Sequence, residues 1–251
     1  MAEPRRLPPG TRHDADQRLP RRGRGPSDHP QRVQLQRRAL RPPDAESPWG
    51  WQLFGHHCAV NCLVVEGRMV VSPVFLGAEP NEIDDGPRAG TSAFTDRIRL
   101  GMDLMAVLPP HQRVTATVYG RMVDPGMPPG RIHPGDERHL AGAFQDNRVI
   151  SFEGMRASDM PERAREILPK IAESFVSLLP DGPRAAWMRE IRYHLDETWF
   201  SWVGGHKVGD VFCYRLQSPV LIAELDHHCG VFLDYDTPKP FHIHTVLRTP
   251  H

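Results

Sequence analysis

Trp199-Phe200-Ser201-Trp202-Val203, Val211-Phe212-Cys213-Tyr214-Arg215-Leu216, Val220-Leu221-Ile222-Ala223-Glu224-Leu225-Asp226 and His242-Ile243-His244-Thr245-Val246-Leu247 follow one another near the end of the chain. Each run is short and rich in β-branched and aromatic residues, and Gly, Pro and Asp break the chain between them, so they read as four strands. Near residue 50 the pattern recurs. Trp49-Gly50-Trp51-Gln52-Leu53-Phe54-Gly55-His56-His57 leads into Cys58–Val65, and a Glu66-Gly67 turn joins that run to Arg68–Leu76 as a β-hairpin. Between the two strand regions the period changes. Phe94, Ile98, Met102, Met105 and Leu108 stand at helical spacing across 93–108, and a second helix over about 160–179 carries Ile167, Ile171, Phe175 and Leu178 after Pro161. A third runs from the Asp181-Gly182-Pro183 break to about Leu195, a short strand is expected at 114–119, and 120–138 reads as a Gly/Pro-rich loop. Strands at both ends with helices grouped between them predict an α+β domain, its largely antiparallel sheet packed by a central helical segment.

The chain has 251 residues with 31 basic and 31 acidic side chains, so its net charge is zero. That zero is a sum of unlike parts. Residues 1–48 hold 11 Arg against 6 acids, nine prolines and no aromatic residue, which leaves an acidic remainder. Such a segment cannot bury enough apolar surface to offset its ordering entropy. Residues 1–47 are therefore expected to form a disordered tail, or to precede the true start, and 48–251 to form one domain. An acidic body argues against nucleic acid as a partner. There is no signal-like apolar run and no stretch of the length a membrane span needs, so a soluble, cytoplasmic protein is expected, acting on a small molecule. Cys58, Cys62, Cys213 and Cys229 lack metal-knuckle spacing and read as small buried hydrophobes.

The chemistry concentrates in imidazoles and carboxylates. On a strand, His242-x-His244 sets two rings on one face about 6–7 Å apart along the chain, within reach of one metal ion. Glu224-x-Asp226 does the same for two carboxylates on the preceding strand, directly before His227-His228. An apolar face does not accept unpaired charge, so these acids need a cation, donors or water. His56 or His57 could supply another ligand, but neighbours on a regular strand face opposite ways, so only one of the two is expected at a given site. The ligand set is thus drawn from His56, His57, Glu224, His242 and His244. Asp196-Glu197, Asp146-Asn147-Arg148 and Arg138-His139 are weaker candidates, since loops and helix ends of that composition are usually only solvated.

Several motifs resemble one family. Trp49-Gly50-Trp51-Gln52, Gly55-His56-His57, Phe200-Ser201-Trp202-Val203-Gly204-Gly205 and Tyr214-Arg215-Leu216-Gln217-Ser218-Pro219 occur in order, followed by Ile222–Asp226 and His242–Arg248. Together they resemble the family termed domain of unknown function 3500, over roughly residues 47–250. The resemblance implies that the His pair, the E-x-D strand and the H-x-H strand stay together, and that the chain is cut short after the last of these. The expected function is that of a metal-dependent enzyme, most simply a hydrolase. A divalent ion, Zn or Fe, would activate water, with Glu224 or Asp226 as general base. Two alternatives stand beside it: oxygen-dependent oxidation by iron on the same ligands, and a non-catalytic ligand-binding domain with a structural His/acid network.

Overall fold

The computed structural model describes residues 35–43, 46–142, 148–230 and 235–250. Among them are ten strands, in one sheet of order β1-β2-β3-β4-β10-β9-β8-β7-β5, with β6 (Met155–Arg156) also pairing β7. The strands are β1 (Gln36–Ala39), β2 (Trp49–Gly55), β3 (Cys58–Val65), β4 (Arg68–Ala78), β5 (Thr117–Tyr119), β7 (Trp199–Gly204), β8 (Phe212–Gln217), β9 (Ile222–His227) and β10 (Ile243–Arg248). All pairs are antiparallel except β5 with β7. The α+β class holds, and the four strands expected after residue 198 are β7 to β10.

Alternation along these central strands sorts residues onto two faces. Phe200, Trp202, Phe212, Tyr214, Leu216, Leu225 and Ile243 face α1 (Thr95–Val107) and α4 (Leu168–Val176), which contribute Leu104, Met105, Ile171 and Phe175 to the main core. Each large side chain buried there contributes about 1.5–3 kcal/mol relative to exposure. The opposite face carries Arg215, Glu224, Asp226, His244 and Val246. It is covered by irregular chain from the 120–154 region, whose Leu140, Ala141 and Ile150 pack on Ile222 and Val246. One face is thus helix-covered and apolar. The other is loop-covered and rich in polar groups.

Local chemistry explains most element boundaries. Glu66 and Gly67 both take left-handed φ, 51° and 72°, the conformation of a two-residue turn whose twist matches a hairpin. The helix expected at about 160–179 is two, α3 (Glu162–Arg165) and α4. Pro169 cannot donate to the carbonyl four residues back, which interrupts the ladder. α5 (Asp181–Tyr193) matches the third expected helix. The stretch expected as a strand at 114–119 is instead the end of α2 (Pro110–Ala116) followed by the shorter β5. Pro110 starts that helix, because its missing N–H falls where no intrahelical partner exists. β1 lies within the stretch expected to remain unfolded, and it pairs with β2 from Gln36↔Phe54 to Ala39↔Trp51. Residues 1–34 of that tail lie outside the described residues. No described helix is long and apolar enough to cross a membrane.

Candidate metal centre

Gly55 and Cys58 pair as the last and first residues of β2 and β3, which makes His56-His57 the two-residue connection of a tight hairpin. The pair is therefore not in a strand, and the strand rule that separated its two side chains does not apply. The His57 carbonyl accepts a hydrogen bond from Gly77 N–H at 2.9 Å, fastening the turn to the end of β4. Across β4, Gly77 is the register partner of His244, and His244 in turn faces Asp226 of β9. A Cβ at Gly77 would lie 2.9 Å from Cδ2 of both His244 and His57. Only glycine leaves the space these two imidazoles occupy.

One ring nitrogen from each of His57, His242 and His244 lies within 4.8 Å of the others, so this trio could hold a metal ion. Neither His56 nor Glu224, both expected as ligands, belongs to the group. His242 and His244 approach Nε2 to Nε2 at 3.0 Å, and they are 0% and 7% exposed. Beyond the trio, the His228 ring lies 4.0 Å from that of His244, and the Glu79 carboxylate stands 3.7 Å from His242 Nδ1.

The nitrogens are short of partners. His57 Nε2, His242 Nδ1, His244 Nδ1 and His228 Nε2 are all buried with no hydrogen-bond partner. A neutral imidazole has one donor and one acceptor nitrogen, so the single bond between His242 and His244 leaves both Nδ1 atoms unanswered in either tautomer. Each unsatisfied buried group costs about 1–3 kcal/mol. A cation on both Nε2 atoms resolves part of this, because both Nδ1 atoms then carry protons and that of His242 faces Glu79. This is the carboxylate–histidine–metal arrangement that orients a ligand.

Electrostatics keeps the rings neutral. Burial first, then His56 and His242, lower the His57 pKa to about 4. Burial likewise pulls His242 down, partly opposed by Glu79. His244 falls far below the usual imidazole range through burial and its neighbours His228, His139, His242 and His57. Neutral imidazole is the form that ligates metal.

Glu224 and Asp226 do other work. The Glu224 carboxylate accepts backbone N–H bonds from Leu140 and Ala141 at 3.0–3.1 Å, with His139 Nδ1 3.3 Å away. Against the cost of burial, His139, Arg215 and the Ala141 N–H hold it down to about 2. Asp226 accepts from Arg138 Nε at 2.7 Å, and the same guanidinium reaches Glu137 and the His227 carbonyl. These acids satisfy their buried charge with donors from the covering loop rather than with an ion, which revises the ligand and general-base roles expected of them. Arg138-His139, expected as a substrate-binding pair, supplies those donors. Asp196 pairs with Arg165 and Glu197 with His194 at the exposed end of α5, as solvated helix ends do. Asp146 and Asn147 lie outside the described residues. Four cysteines are free, and burial raises Cys58, Cys62 and Cys213 above the usual thiol range. That fits inert packing groups.

Sequence reasoning missed Glu79 and Glu137. Both sit in irregular chain, where no period relates them to the histidines. The family profile described as Protein of unknown function (DUF3500) matches residues 38–251, and no curated protein or solved structure gives a match. That span begins inside β1 and takes in every strand that builds the histidine site. By that match over most of its length the chain belongs to the DUF3500 family.

Proposed function

We propose that the chain is a metal-dependent enzyme, most simply a hydrolase, in which His57, His242 and His244 hold one divalent ion. The observation that carries this reading is the cluster of buried, neutral, partnerless imidazole nitrogens bordering a cavity of about 400 Å³. Three protein ligands with a fourth position open to a cavity is the pattern of catalytic zinc, which lowers the pKa of bound water towards 7. With Glu224 and Asp226 engaged elsewhere, the base on that water is His228. Its Nδ1 lies 2.9 Å from the Cys229 carbonyl and 3.3 Å from Glu137, so the proton sits there and Nε2 is left to accept. Among the described residues no carboxylate joins the trio, which favours zinc over the two-His, one-carboxylate iron sites that activate oxygen.

Metal analysis of protein expressed in supplemented medium tests this. About one equivalent of zinc is expected, and less than about 0.1 equivalent of any transition metal overturns the reading. The double change His242→Ala and His244→Ala should remove the metal and leave a folded chain. If it lowers the melting temperature without altering metal content, the cluster is a structural network.

A further inference from the structure

The cavity beside the histidines extends along β10. His244, Val246 and Arg248 alternate onto one face of that strand and all three line it. At roughly 3.3 Å per residue, the first and last of these stand about 13 Å apart. Between them the walls are apolar, formed by Ala59, Pro73, Phe75 and Val246. The two ends differ in sign. Glu79 and Glu137 stand behind the imidazoles of His242 and His228, whereas the far end holds the guanidinium of Arg248, itself 7% exposed.

We propose that this cavity selects small carboxylates, with an apolar ring or chain along β10, the carboxylate on Arg248 and the reacting group at the histidines. The reaction part rests on the metal reading above, whereas the carboxylate preference rests on Arg248 alone. A guanidinium carries five donors in a planar fork, so it can take a carboxylate bidentately beside the groups it already meets. Apolar walls strengthen that pair by excluding water. The acidic residues behind the imidazoles oppose the reverse orientation.

The test compares 4-phenylbutanoate with 4-phenylbutan-1-ol, which share shape and differ in charge, by calorimetric titration of the full chain in metal-loaded and chelator-treated forms. The acid should bind at least about tenfold tighter than the alcohol in both forms, as a charge-assisted bidentate pair provides. Arg248→Gln should shrink that preference to within about threefold at unchanged metal content, and Arg248→Lys should keep part of it. Equal binding of acid and alcohol overturns the inference, as does a preference that survives Arg248→Gln or the absence of saturable binding by either at about 10 mM. A preference seen only with metal places the carboxylate on the ion and also overturns it. If Arg248→Gln does not fold, the wild-type comparison without metal and Arg248→Lys decide. Failure of the metal reading is separable: a chain without metal that still prefers the acid through Arg248 retains the carboxylate site.

Discussion

Gly77 sets how closely two imidazoles approach, and it does so by lacking a side chain. Gly77→Ala puts a methyl 2.9 Å from both rings, so one of them must turn away. The expected result is a loss of about 1–3 kcal/mol in stability from overpacking, with metal affinity lowered at least tenfold, read by urea unfolding and competitive chelator titration. Glu79→Gln keeps the volume but weakens the partner of His242 Nδ1. Metal affinity should fall about 10- to 100-fold with little change in melting, and unaltered affinity would remove Glu79 from the site. Protons provide a third probe. His57 titrates at about 4 in the folded chain against 6.5 when unperturbed, and His242 and His244 are also lowered. Between those values the unfolded chain binds more protons, so stability of the metal-free protein should fall as pH drops from about 6.5 to 4. Glu224, at about 2 in the fold against 4.5, adds a separate loss below about 4.5. A melting temperature flat from pH 7 to 5 would contradict the imidazole part.

At the level of elements, β9 is the strand that fastens the covering loop. Asp226→Asn leaves the buried Arg138 charge without its main partner, which costs about 3–5 kcal/mol. Metal content should persist at permissive temperature, whereas a variant that loses metal yet unfolds normally in urea would return Asp226 to the ligand set. Alternation along β9 told which face Glu224 and Asp226 share and that they need partners. It could not tell that the partners are Arg138, Leu140 and Ala141, because these lie more than 80 residues away in a loop without period. The His56-His57 hairpin was hidden for a different reason. Neither residue takes a positive φ, so the connection needs no Gly or Asn, and the apolar run from Trp49 to Val65 reads as unbroken. By contrast, β7 to β10 were legible because both of their faces are buried, which demands β-branched and aromatic residues throughout.

Across the whole molecule, the acidic body and the basic tail meet at β1, which closes one edge of the sheet. A chain beginning at Ser47 lacks this strand and exposes the edge of β2, including the Gly50 carbonyl that accepts from Leu40 N–H. It should melt lower and aggregate more readily than one beginning at Leu35, which should match the full chain by calorimetry and light scattering. Equal behaviour of the two shorter chains would show that β1 adds nothing to the sheet. The strand order has one further effect. Among the described residues, β1 to β4 join the rest of the sheet only through β4 and β10, a seam between residues as distant as Gly77 and His244. The hairpins on either side can form locally, whereas the seam closes only after most of the chain has been brought round, which makes it a late step in folding. His57 stands on one side of that seam and His242 and His244 on the other. An ion held by all three would therefore do little to the speed of folding and much to the rate at which the halves part. Stripping it would show first as a shorter native lifetime.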